Sequence, residues 1–72
     1  MIQLNGEPRP LSSPMTVAAL LGELQIDPRM VAVEVNRRVI KRAAYDETSI
    51  QDGDEVEIVA FVGGGAPSDS HA

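Results

Sequence analysis

Residues 52–65 read Asp-Gly-Asp-Glu-Val-Glu-Ile-Val-Ala-Phe-Val-Gly-Gly-Gly, and this stretch decides the fold. Asp52-Gly53 is a turn signal, because glycine accepts the positive φ that tight turns demand. From Glu55 to Val62 the residues alternate. Val56, Ile58, Ala60 and Val62 fall on one face, and Glu57, Val59 and Phe61 on the other. β-Branched residues at period two predict a strand. That strand runs straight into Gly63-Gly64-Gly65, followed by Ala-Pro-Ser-Asp-Ser-His-Ala. Such small and polar residues bury too little surface to offset the entropy of an ordered chain. The expectation is a folded domain over 1–62 and a flexible tail over 63–72 that leaves from the end of the last strand.

The upstream sequence supplies the rest of a small sheet and one helix. Ile2-Gln3-Leu4-Asn5 alternates as a half-buried strand, and Asn5-Gly6 is a hairpin turn. Pro8 and Pro10 lack ladder donors, so the return strand, about Arg9 to Ser12, is expected to be short and irregular. Val17, Leu20, Leu21 and Leu24 sit at i, i+3, i+4 and i+7, one apolar helical stripe. Thr16 and Ser13 compete as the N-cap, with Pro14 at the first helical position in the second case. Pro28 disfavours helix at Asp27, so the helix should stop near Gln25. Met30–Asn36 predicts a central strand with Val31, Val33 and Val35 on one face. A turn at Asn36-Arg37-Arg38 leads to a short strand, Val39-Ile40-Lys41. A helical turn is expected around Ala43–Asp46. The order is β-β-α-β-β-β, a two-layer α+β domain with one main helix on a mixed sheet of four to five strands. The β-grasp, or ubiquitin-like, arrangement has this order.

Composition narrows the function. The chain has 72 residues, enough for one small domain. Its hydrophobic fraction of 43% includes one Phe, one Tyr and no Trp, so the core is aliphatic. With no Cys, a disulfide framework, a thiol nucleophile and a Cys-ligated metal are excluded. One His excludes a multi-His metal site. The acidic residues Asp52, Asp54, Glu55 and Glu57 do not match the spacing of a calcium loop, so no metal site is expected. The net charge of -5 argues against nucleic acid, whose phosphates would repel the chain. No apolar run approaches the length of a membrane span, and the N-terminus lacks a signal-peptide pattern. A cytoplasmic location follows as the expectation. A domain this small has little interior left for a catalytic pocket, so a carrier, substrate or binding module is expected rather than a self-sufficient enzyme.

The glycine run has two readings. It is a thin tether whose terminal carboxylate can thread a narrow channel into another enzyme's catalytic centre. Alternatively it is a plain linker to a dispensable tail.

Over residues 1–65 the sequence resembles the ThiS sulfur carriers of thiamin biosynthesis, which are small β-grasp proteins. The resemblance rests on Ile-Gln-Leu-Asn-Gly (2–6), Thr-Val-Ala-Ala-Leu-Leu (16–21), Val-Ala-Val-Glu-Val-Asn (31–36), Val-Ile-Lys-Arg (39–42), Asp-Gly-Asp-Glu-Val-Glu-Ile-Val (52–59) and Phe-Val-Gly-Gly-Gly (61–65). Their order and spacing carry it, not any single piece. The resemblance implies that a ThiF-type adenylating enzyme uses Mg-ATP to activate the carboxylate of Gly65, with Gly64 before it and Gly63 adding flexibility. A sulfur donor such as a cysteine desulfurase then supplies sulfur, leaving a thiocarboxylate. Thiazole synthase takes that sulfur into the thiazole of thiamin. The carrier itself binds no cofactor and has no catalytic residues of its own. Members of that family end at the second Gly of the pair, whereas here residues 66–72 follow, so removal by a processing protease is expected before activation.

Other readings stay open. A molybdopterin-synthase small subunit uses the same fold and end-group chemistry. A ubiquitin-like modifier would attach Gly65 to lysines, and a pure β-grasp binding module would ignore the tail. Val59 and Phe61 are the expected partner-docking residues, an exposed apolar patch beside the tail. Arg37, Arg38, Lys41 and Arg42 read as a solvated hairpin. Tyr45 is expected at the edge of the core.

Overall fold

The computed structural model describes residues 1–11 and 13–61. Val62, the three glycines and the remaining tail lie outside the described residues, as does Ser12. The expected 62/63 boundary and flexible tail fall outside the described residues as well.

Among the described residues seven strands and one α-helix follow in order: β1 (Ile2–Leu4), β2 (Glu7–Arg9), β3 (Met15–Thr16), α1 (Val17–Glu23), β4 (Val31–Val35), β5 (Arg38–Ile40), β6 (Ser49–Ile50) and β7 (Glu55–Ala60). Five of the strands form one sheet in the order β2-β1-β7-β4-β5, and β3 pairs with β6 in a small second sheet. β1 and β7 run parallel, with Gln3 opposite Glu55 and Leu4 opposite Val56. The other pairs are antiparallel. One helix across one face of a mixed sheet is the α+β, β-grasp arrangement that the element order predicts.

The register sorts the side chains cleanly. Val33 lies opposite Ile58 and Ile40, and Val35 opposite Val56. These residues share the inner face with Ile2, because side chains alternate along a strand. Val17, Leu20 and Leu21 of the helical stripe meet them. Ile2, Val17, Leu20, Leu21, Val33, Ile50 and Val56 are each at most 1% exposed. Tyr45 joins this core rather than its edge, at 5% exposed. Burial pushes its phenol pKa above the usual value, since the charged form would lose solvation.

The helix ends are explicit. Thr16, not Ser13, is the N-cap, and its hydroxyl accepts from the Ala19 amide at 3.1 Å. The first helical amides donate to the carbonyls of Thr48 (2.9 Å) and Tyr45 (3.0 Å), so donors that a helix start leaves orphaned are satisfied by the chain before β6. At the other end Gln25 adopts φ +60. The Gln25 amide donates to Gly22 O and that of Ile26 to Leu21 O, the paired bonds that turn a chain off a helix. The chain is thus reversed three residues before Pro28, which opens a 3-10 turn over Pro28–Met30 instead of stopping the helix.

Five boundaries depart from the sequence expectation. β5 is Arg38–Ile40 rather than Val39–Lys41, because the two-residue Asn36-Arg37 turn sets Arg38 opposite Val35, and β7 ends at Ala60, short of the expected Val62. The return strand is Glu7–Arg9, not Arg9–Ser12. A two-residue Asn5-Gly6 turn forces Glu7 opposite Leu4, and Pro8 is tolerated because β2 is an edge strand. Met30 belongs to the 3-10 turn rather than to the central strand. The second 3-10 turn spans Arg42–Ala44, slightly earlier than expected. The β3–β6 pair was not expected, being only two residues long on each side.

Two asparagines clamp the last strand. Asn5 (φ +51) accepts from the Ile58 amide at 2.8 Å through Oδ1 and donates to the Ile58 carbonyl at 3.3 Å through Nδ2. Asn36 (φ +52) accepts from the Glu55 amide at 3.0 Å and donates to Asp54 at 3.1 Å. Both asparagines begin two-residue hairpin turns that need positive φ, and both use the side-chain amide as an extra rung beside β7.

Candidate functional site

The features that bear on function gather where β7 ends. Ala60 is the last residue of the strand. Phe61 follows it, and the Phe61 amide donates to the Met30 carbonyl at 3.0 Å. This bond ties the departure point of the tail to the 3-10 turn after the helix.

Beside it lies an apolar groove of about 450 Å³. Leu4 and Ile58 contribute from the sheet, Leu24 and Ile26 from the helix end, and Met30 and Phe61 from the two tethered segments. Helix termination creates it. The reversal at Gln25 swings Ile26 back over Leu21, and the helix is too short to cover the end of the sheet. Met30 remains 46% exposed on its rim. Asn5 also lines the groove, and its two bonds to Ile58 fix the floor. Between Ile26 and Met30 in the chain, Asp27 accepts from the Arg29 amide (2.9 Å) and from two atoms of its guanidinium (3.2 and 2.9 Å). These bonds, with the neighbouring positive charge, hold the exposed Asp27 carboxyl down to a pKa of about 2.

The outer face of the sheet is different. Glu57 lies directly opposite Glu34, and Val59 opposite Ala32. Gln3, Glu34, Arg37, Glu55 and Glu57 line a polar concavity of about 340 Å³ there. Arg37 approaches Glu55 at 3.9 Å, while among the described residues no ion pair engages Glu34 or Glu57. Val59 is 56% exposed on this face.

The structure therefore places the two expected docking residues apart. Val59 sits on the outer face, and Phe61 lines the groove together with Ile58 and Ala60. Strand alternation would have put Phe61 beside Val59, but the strand stops at Ala60 and alternation stops with it. Gly63, Gly64 and Gly65 lie outside the described residues. Leu24, Ile26 and Met30, which complete the groove, were not singled out from sequence. Their only signal was Leu24 at the end of the helical stripe. Among the described residues no group of three or more His, Cys, Asp or Glu could hold a metal ion. Among those same residues no helix is long and apolar enough to cross a membrane.

Comparison with known proteins gives a consistent picture. The model of the ThiS family matches residues 2–65. A sulfur carrier protein ThiS from Bacillus subtilis is 39% identical over 66 residues, covering 90% of this chain and all of that one. A thiazole synthase from Paramagnetospirillum magneticum is 52% identical over 63 residues, covering 88% of this chain; the chain spans only 19% of that protein's length. In crystal structure, a thiamine biosynthesis protein (ThiS) from Geobacter metallireducens superposes with a TM-score of 0.78 at 37% identity, covering 89% of this chain and 97% of that one. With a family match over residues 2–65 and a relative 39% identical that is covered over its whole length, the chain belongs to the ThiS family.

Proposed function

We propose that this chain is a sulfur carrier of thiamin biosynthesis whose working end is Gly65, acting in the cytoplasm as the substrate of partner enzymes. The observation that carries this reading is where the family match stops. It runs through the folded domain and the glycine run and ends at Gly65, although seven more residues follow. Removal of Ala66–Ala72 by a protease exposes the Gly65 carboxylate.

The chemistry then belongs to the partners. In a ThiF-type adenylating enzyme a carboxylate oxygen of Gly65 attacks the α-phosphorus of Mg-ATP, and pyrophosphate leaves. A persulfide, supplied by a donor such as a cysteine desulfurase, adds to the acyl carbon and AMP departs. A thiol then cleaves the resulting acyl disulfide, becoming half of a new disulfide and leaving the thiocarboxylate. Thiazole synthase accepts that sulfur. The carrier contributes a reactive end and a docking surface. Gly63 and Gly64 lack side chains, so they fit a narrow channel. Val59 and Phe61 flank the departure of the tail, one on each side of the sheet.

The test is pyrophosphate exchange by the adenylating enzyme of the source organism. A chain ending at Gly65 should support exchange, and Gly64→Ala or Gly65→Ala should reduce it to background while leaving the circular dichroism spectrum unchanged. The chain ending at Ala72 should be inert until trimmed. Equal exchange with the uncleaved chain, or none with the chain ending at Gly65, contradicts the reading.

A further inference from the structure

We infer that the apolar groove, rather than the outer face at Val59, is where the adenylating enzyme seats itself on this chain, and that Phe61 is a positioning residue that fixes the origin of the tail. The inference rests on the carrier reading above. Its starting point is a length. Phe61 is held by its amide bond to the Met30 carbonyl at 3.0 Å. Gly65 is the fourth residue beyond Phe61. Fully extended, the chain carries Gly65 at most about 14 Å from that anchor. An enzyme that holds the Gly65 carboxylate against ATP in a water-excluding site must therefore press its own surface against the surroundings of Phe61.

Two surfaces lie within that reach, and they differ in what covering them entails. The outer face offers Val59 and Ala32 beside the Glu34–Glu57 pair. Covering it desolvates two adjacent carboxylates that no described ion pair compensates. The groove is concave and almost wholly apolar. Its floor is fixed by the two Asn5–Ile58 bonds, so little conformational freedom is lost when it is filled. A preformed apolar hollow is the setting in which a single large side chain contributes most to an interface. The occupant is an apolar side chain projecting from the rim of the enzyme's ATP-facing channel. The chain's own tail is a poor alternative, because Ala66–Ala72 contain no large apolar residue.

The experiment measures KM and kcat for pyrophosphate exchange with chains ending at Gly65. This truncation removes no core residue, since the core spans Ile2 to Val56. Met30→Glu and Ala60→Glu alter exposed positions of the groove and leave the core intact. Each should raise KM by about tenfold or more with little change in kcat. Val59→Glu, of the same charge on the other face, should move KM less than about threefold. A two-glycine insertion between Val62 and Gly63 lengthens the reach and should lower kcat while sparing KM. A large KM effect at Val59→Glu with none at Met30 would overturn the inference. So would a self-association that Met30→Glu abolishes while KM stays unchanged, which would give the groove to a second copy of the chain. Absence of exchange with the unsubstituted chain would overturn the carrier reading, and the docking assignment with it.

Discussion

The two faces of the main sheet are built by the same strands, yet they tolerate opposite things. The helix closes the inner face over Ile2, Val33, Val35 and Val56, which are at most 8% exposed. The outer face keeps two features that lower stability. Glu34 and Glu57 sit directly opposite each other, where like charges repel. The second hairpin turn holds Arg37 at φ +70, where the matching position of the first turn has Gly6 at φ +83. A side chain in the left-handed region is strained. The packed face therefore sets stability, and the open face has slack that other demands can use. The groove is the end of the inner face that a helix of seven residues leaves uncovered.

This contrast can be broken most forcefully from the inside. Leu20→Ala opens a cavity in the core and should lower unfolding free energy by about 3 kcal/mol in denaturant titration. For a domain this small, that removes much of the total stability. Asn5→Ala should lower it by roughly 1–2 kcal/mol, because it leaves the Ile58 amide without its acceptor and puts alanine at positive φ. Changes on the outer face should have the opposite sign. Arg37→Gly should stabilise by about 0.5–1 kcal/mol, the left-handed penalty less the entropy glycine adds to the unfolded chain. Glu57→Lys, placed opposite Glu34, should stabilise by about 0.5 kcal/mol, and less at high salt. If either outer substitution destabilises as strongly as Asn5→Ala, the two faces are not separable in this way.

The smallest effect lies at Asp27, before the 3-10 turn. Asp27 should titrate near pH 2 when followed by carboxyl carbon shifts, well below an ordinary aspartate. Its native pKa is depressed, so its pairing with Arg29 supports the folded state above the usual carboxylate range and fades as the pH falls towards 2. Arg29→Ala should return the titration towards the ordinary value.

Much of the fold was legible in the sequence because local and global signals agree. The alternation at Val31–Val35 and Glu55–Ala60, the stripe at Val17–Leu24 and the two asparagine turns each specify their own element and also fit together. What escaped was set by tertiary context. The β3–β6 pair is too short to leave a periodic pattern. Gln25 ends the helix at a φ that glycine would have advertised and glutamine does not. Phe61 could not be placed from alternation, because its position follows from a bond to Met30 that is thirty-one residues away in sequence. Of the candidate site, the glycine run was visible as composition. The groove was not, since its residues come from four separate segments and only the helix end brings them together.

Whether Gly65 carries sulfur, as proposed above, can be read from the intact mass of the protein isolated from its own cells. A species ending at Gly65 is expected, with a fraction heavier than the simple acid by the difference between sulfur and oxygen. A single species ending at Ala72, with no trimmed or sulfur-loaded form, would contradict the proposal.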